Sequence, residues 1–415
     1  MQSNLFSRKL WSKDFILILL ICTIASYPNS ILISVLPVYV LDLGGNDTLT
    51  GMMMMGLTVL GMVTNIIVAP LIDRIGRKKL LVLGSGLYAL NALLFCFTKD
   101  LEALFFLRVL CGFTQGIFFP VPPIMAADST SEDVLVDAMG LFGVAGSITF
   151  AVTPTVGLAI YNSLGAEALF ISGAALGMIS FILAIFVQEH YERPVREEKA
   201  RVEKARKEKA AFQMDKTFLL MVFMPSLIYL FVSLGNSAVS TFLTPCGLSR
   251  GIGNISLFFM ANQLAAIAAR LLIGRVLSYI SKRACVLAGI IISAAGTALI
   301  AVSYSLGLML VSAILLGIGL TAVTQVLQAE VLAASPADRR GVASTVFSLL
   351  GSVGGMCTAL WGWVATGAGY GAMYLLAGAA TLAGCLFYSV YFGKRKACRV
   401  SVTGKVAVNR TETAR

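Results

Sequence analysis

Little in this sequence could hold a metal ion. One histidine, His190, stands in 415 residues, and none of the eight cysteines belongs to a C-x-x-C pair. A zinc or iron–sulfur site therefore has no ligand cluster to form from. The cysteines fall mostly within apolar runs, where a thiol acts as a small hydrophobe, and no cofactor is expected. Charge is scarce too: Asp, Glu, Lys and Arg make up 13% of the chain, against about 25% in soluble domains. No Gly-x-x-x-x-Gly-Lys-Ser/Thr sequence occurs, which excludes a nucleotide-driven motor of that type within the chain. The basic loops are short and carry no interleaved aromatics, so the net charge of +11 does not mark a nucleic-acid-binding surface.

What is present is apolar. Hydrophobic residues are 58% of the chain and glycines number 39. Twelve membrane-spanning helices of ~20 residues need about 240 apolar residues, close to the whole hydrophobic stock. A soluble enzyme, a disordered chain and a secreted disulfide scaffold are excluded. The continuous runs also argue against a transmembrane barrel, whose strands are short and alternate in polarity. Hydropathy places spans near 14–40, 49–72, 79–98, 103–127, 138–161, 168–188, 217–243, 253–277, 284–303, 306–332, 342–366 and 371–393. Runs of this length suit only helices, because lipid offers the backbone no other partner. The first run is too long for a signal peptide and lacks a small-residue cleavage site, so it is read as a retained helix.

Basic residues set the orientation. With both termini cytoplasmic, 28 of the 32 Lys and Arg residues fall in cytoplasmic segments. Only Lys99 and Arg250 lie outside, while Arg108 and Arg270 lie within spans. This is a strong positive-inside bias, and the expectation is an all-α, multi-pass protein of a bacterial inner membrane.

The chain divides at residues 189–216, a segment dense in both charge signs with i,i+4 pairs such as Glu197–Arg201. It reads as a cytoplasmic linker between a bundle at 1–188 and a bundle at 217–393, with a basic tail at 394–415. The two bundles echo each other. APLIDRIGRK, from Ala69 to Lys78, aligns with GRVLSYISKR, from Gly274 to Arg283, at an offset of 205 residues. The same offset maps Ala138 onto Ala343, Gly146 onto Gly351 and Gly157 onto Gly362. A duplicated six-helix unit inserts twice with one polarity, which places a substrate site at the repeat interface near mid-bilayer.

On these motifs the chain resembles the major facilitator superfamily of secondary transporters. DRIGRK, from Asp73 to Lys78, is similar to the family's loop signature between helices two and three, although Ala69 stands where glycine is usual. RVLCGFTQG, from Arg108 to Gly116, resembles its arginine-and-glycine motif in helix four. TPTVG, from Thr153 to Gly157, resembles the Gly-Pro motif of its exporter branch, with Thr153 in place of glycine. The second-half loop has Ser278 in place of the acid. The resemblance implies twelve helices in two pseudo-symmetric six-helix bundles, a small-molecule substrate, a proton or other coupling ion, and a chain that acts as a monomer in the lipid bilayer.

Candidate site residues follow. Asp73, Arg74, Gly76, Arg77 and Lys78 form the expected conformational latch; ordinary positive-inside anchoring is the alternative. Arg108, Gly112, Gly116, Asp128, Pro154, Gly157 and Arg270 are assigned to gating or coupling. An ionisable residue inside a span is costly and usually faces a cavity or a partner, although Arg108 and Arg270 could instead snorkel to the interfaces. Asn29, Gln115, Asn236, Asn262, Gln263 and Gln325 are the candidate cavity lining, the alternative being bonds between helices. Met52 to Met55 form an adaptable apolar run. No carboxylate sits mid-span, so proton coupling would fall to Asp73, Asp128, Asp42 or Glu330, or to charge displaced by Arg108. The expected function is proton-coupled efflux of a small amphipathic molecule, a drug or secreted metabolite, by alternating access. Proton-coupled import of a polar metabolite is one alternative, and a non-transporting sensor on a transporter scaffold is another.

Overall fold

A computed structural model describes residues 11–130, 135–188, 216–335 and 340–412. Helices α1 (Lys13–Ser34) and α2 (Leu36–Asp42) form one bent span, broken at Val35 where Pro37 withholds a backbone donor. Then come α3 (Asp47–Ile75), α4 (Arg77–Leu94), α5 (Leu101–Phe118) and α6 (Val121–Asp128). The α5–α6 break falls at Phe119–Pro120, ahead of Pro122 and Pro123. Helix α7 covers Leu135–Phe186. The second half holds α8 (Lys216–Ser249), α9 (Leu257–Tyr279), α10 (Lys282–Val302), α11 (Leu306–Ala334), α12 (Arg340–Met356) and α13 (Thr358–Glu412). Among the described residues there is no strand. Of the expected linker at 189–216, residues 189–215 lie outside them and Lys216 begins α8; α13 continues helical to Glu412, through most of the segment assigned to the tail.

Short polar side chains start several helices. Asn46 accepts from the Leu49 amide at 2.8 Å and Asp100 from the Ala103 amide at 2.9 Å, each satisfying a donor the helix leaves open. The α3–α4 turn passes through Gly76 at φ 107° and ψ 141°, a conformation that a side chain would strain.

Among the described residues, ten segments are long and apolar enough to cross a membrane. Two of them cover 46 and 44 residues. A straight 46-residue helix would measure about 69 Å, more than twice the ~30 Å hydrocarbon layer, so neither is a single crossing. Each turns at a glycine of positive φ, Gly165 (84°) in α7 and Gly369 (79°) in α13.

The repeat is visible in the packing. Helix starts Arg77 and Lys282, and Leu101 and Leu306, are each 205 residues apart. A Cβ added at Gly112 would meet the Leu57 carbonyl oxygen at 2.2 Å and the Gly61 nitrogen at 2.9 Å. At Gly317 it would meet the Asn262 oxygen at 2.3 Å and the Ala266 nitrogen at 3.1 Å. Both partners shift by the same 205 residues. Asn91 donates to the Leu107 carbonyl at 3.2 Å, and at the equivalent positions Ser312 donates to the Gly296 carbonyl at 2.7 Å. One pair of sites is thus bonded in both halves, with donor and acceptor exchanged between helices. The halves meet where α3 packs on α12 and α13, and where α7 packs on α9.

Candidate substrate cavity

Between the halves lies a cavity of about 290 Å³. Its wall repeats across the duplication: Ser34 and Val239, Met54 and Phe259, Leu57 and Asn262, Thr58 and Gln263, and Phe150 and Gly355 all line it. Each pair is separated by 205 residues, so the cavity sits on the pseudo-symmetry axis. Pro154, Asn236, Ser240 and Arg108 complete much of the rest. A second hollow of about 220 Å³ adjoins it through Asn236, Asn262, Gln263 and Leu320, and Arg270 lines this one. A third, of about 770 Å³, shares Leu57 and Thr58 and runs along Asn65, Gln115 and Ile124 to Ser344 and Ser348. This hollow lies toward the end of the bundle that carries Gly76 and Asp128.

The opposite end is shut. There the start of α3 lies against α13. Tyr370 donates to Asp47 Oδ1 at 2.9 Å, the Thr48 and Thr366 hydroxyls meet at 3.0 Å, and Thr358 donates to the Gly51 carbonyl at 3.0 Å. A Cβ at Gly362 would stand 2.2 Å from the Asp47 oxygen, so the two backbones touch. The space between the halves is closed at one end and hollow toward the other.

The sequence-derived candidates distribute unevenly over this geometry. Asn236, Asn262 and Gln263 come together in the wall of both smaller cavities. Asn262 also donates to the Ala313 carbonyl at 3.0 Å, so it both lines the cavity and ties two helices. Gln115 lines the largest hollow and donates to Asn29 Oδ1 at 2.7 Å. Asn29 is buried behind it, and Gln325 lies outside the walls of all three spaces.

Arg108 does not snorkel: it is 0% exposed and its Nη2 donates to Met54 Sδ at 3.2 Å. Arg270 is exposed and donates to Ser147 at 3.1 Å, across the α7–α9 contact between the halves. Gly112 and Gly116 seat α5 on α3, and Gly157 meets Ile31 of α1. Of the latch residues, Arg77 pairs with Asp128, joining the start of α4 to the end of α6. Lys78 lines a groove with Phe181 and Ile185. Asp73 and Arg74 fall in the last turn of α3, and their side chains lie outside the described residues.

Sequence reasoning missed the hydroxyl lining of Ser30, Ser34, Thr58, Ser237, Ser240 and Thr241. It also missed the closure by Asp47, Thr48, Thr366 and Tyr370. Among the described residues no cluster of potential metal ligands occurs.

A helical membrane protein with a solute-sized cavity on the axis between two repeats has the build of a secondary transporter. The sequence model of the Major Facilitator Superfamily matches residues 18–253 and 225–412, and the chain belongs to that family. It is a multi-pass membrane transporter and not an enzyme. Multidrug resistance protein 2 of Bacillus subtilis (strain 168) is 24% identical over 173 residues, 42% of this chain and 43% of that protein. Quinolone resistance protein NorA of Staphylococcus aureus is 24% identical over 155 residues, 37% of this chain and 40% of that one. The match thus spans less than half the length of each. Among solved structures, the nucleoside transporter NupG superposes with a TM-score of 0.74 at 14% identity, covering 91% of this chain and 99% of that one. A bacterial homologue of the human lysosomal transporter Spinster, solved inward-facing and unoccupied, gives 0.73 at 14%, covering 93% and 96%. At such identities the likeness shows a shared fold.

Proposed function

We propose that the chain is a proton-coupled exporter of a small amphipathic molecule, a drug or secreted metabolite, working by alternating access. In this reading twelve spans form two rocking bundles, 1–188 and 217–393, joined by the charged linker. Both termini and the basic loops face the cytoplasm of a bacterial cell, and the protein acts as a monomer. The hollow end, which carries Arg77 and Asp128, then faces the cytoplasm, and the Asp47–Tyr370 end is the closed outer gate.

The observation that carries the proposal is the axial cavity with equivalent positions of both halves in its wall. Such a cavity keeps its walls when the halves exchange roles, which alternating access requires. Its mixture of Met54, Phe150 and Phe259 with hydroxyl and amide groups suits a solute with an apolar body and a polar head. The names of the multidrug and quinolone resistance relatives support the export direction. Everted vesicles that hold a pH gradient provide the test. The expected result is solute-dependent proton release that requires the protein; the absence of any solute-dependent flux would overturn the reading.

A further inference from the structure

We propose that Arg108 is an anion-binding subsite and that the transported solute carries a carboxylate or similar acidic head on an apolar body. This rests on the transport reading above and names its substrate class.

The guanidinium is fully buried, and an arginine keeps its charge in proteins. Its Nη2 donates to Met54 Sδ, a weak acceptor, and the Cys111 thiol, another weak acceptor, is within its hydrogen-bonding reach. Nε and Nη1 have no hydrogen-bond partner. Its electrostatic neighbours are Cys111 and Tyr88, neither a carboxylate. A buried cation with only sulfur acceptors and no carboxylate beside it is strongly disfavoured unless an opposite charge arrives.

The cavity walls do not supply one. Among the described residues lining the three hollows there is no Asp or Glu, and Arg270 adds a second cation in the adjoining space. Nor does the fold need the charge. The duplicated helix packs in the same way on Asn262 and Ala266, and the residue 205 positions after Arg108 is Ala313. The arginine is therefore an addition to one half of a symmetric scaffold. Around it, Ser30, Ser34 and Asn262 offer neutral hydrogen-bonding groups, while Phe150, Phe258 and Phe259 offer faces for a flat apolar body. An oxyanion can take the free Nη1 together with Nη2, displacing the weak Met54 acceptor, in the end-on fork that arginine is suited to.

Three probes of one shape test this: 2-naphthoate, 2-naphthamide and 2-naphthylmethylammonium, titrated against the purified full-length protein by thermal shift. The expected result is naphthoate affinity at least about tenfold above that for the amide and the cation, the size of one charge-assisted bond. Arg108→Gln should reduce naphthoate to the affinity of the amide, and Arg108→Lys should keep part of the preference. Charge-blind binding, preference for the cation, no naphthoate binding, equal stabilisation by chloride, or an unchanged preference in Arg108→Gln would each overturn the proposal. Should Arg108→Gln fail to fold, the wild-type series and Arg108→Lys decide alone. Flux of the cation in everted vesicles with charge-blind binding would sink the subsite and leave the exporter standing. Naphthoate binding without flux of any solute would sink the exporter instead.

Discussion

Gly112 lies so close to Leu57 that a Cβ on it would stand 2.2 Å from the Leu57 carbonyl oxygen, and Gly317 stands in the same relation to Asn262 at 2.3 Å. Backbone cannot yield as a flexible side chain does. Gly112→Ala and Gly317→Ala should therefore each force two helices apart and cost about 1–3 kcal/mol. Gly146→Ala and Gly274→Ala have nothing within 4 Å of the added carbon and should be neutral. Melting temperatures of the four variants in detergent check this. Equal melting of all four would contradict the close-packed repeat.

Much of this architecture was legible because it rests on rare residues in an apolar background. Basic residues, glycines at a fixed offset and single amides inside spans stand out, and they led to Gly76, Arg108, Asn236 and Asn262. The hydroxyl lining did not stand out. Serine and threonine in any helix can bond back to a carbonyl one turn earlier, as Ser34 does to Ser30 at 2.9 Å and Thr58 to Met54 at 2.9 Å. Their presence therefore does not mark a cavity. The methionine run was legible only as apolar. Helical periodicity buries Met53 and Met54 while Met52 and Met55 are 37% and 36% exposed, and nothing in the run singles out Met54 as the acceptor for Arg108. The closure at the Asp47–Tyr370 end pairs residues more than 300 positions apart, a distance over which one sequence carries no local signal.

Tyr370 holds Asp47 across the closed end. Tyr370→Phe removes the donor and leaves the ring. The loss of one hydrogen bond, about 0.5–1.5 kcal/mol, should shift the population toward opening at that end by roughly two- to tenfold. Spin labels placed on α3 and α13 at the closed end should then report a larger fraction of long distances. An unchanged distribution would mean that the bond does not contribute to closure.

Arg77 and Asp128 form an ion pair between the start of α4 and the end of α6. Asp128→Asn should slow transport, and Arg77→Asp combined with Asp128→Arg should recover part of the loss. Solute flux in vesicles measures both. A double exchange as inactive as the worse single variant would show that the positions matter for something other than their mutual attraction.

Arg250 caps the C-terminal end of α10. Its Nη1 donates to the Ile300 and Ser303 carbonyls at 2.6 Å each, and its Nη2 to Ala301 at 3.0 Å, with the Tyr304 ring centroid 4.8 Å away. A cation placed there meets the negative end of the helix dipole. Arg250→Met should destabilise the protein by about 2 kcal/mol, and Arg250→Lys should restore only part, since an ammonium lacks the planar fork. Full recovery with lysine would reduce the cap to simple charge.

Alternating access requires the closed end to open for a solute to pass. The Thr48 and Thr366 hydroxyls meet at 3.0 Å across that closure, so a Thr48→Cys/Thr366→Cys variant free of the native cysteines should form a bond on oxidation. Solute flux by this variant in vesicles is the most direct measurement. Oxidation should abolish flux and reduction should restore it. Full turnover with the cross-link in place would contradict alternating access through this cavity.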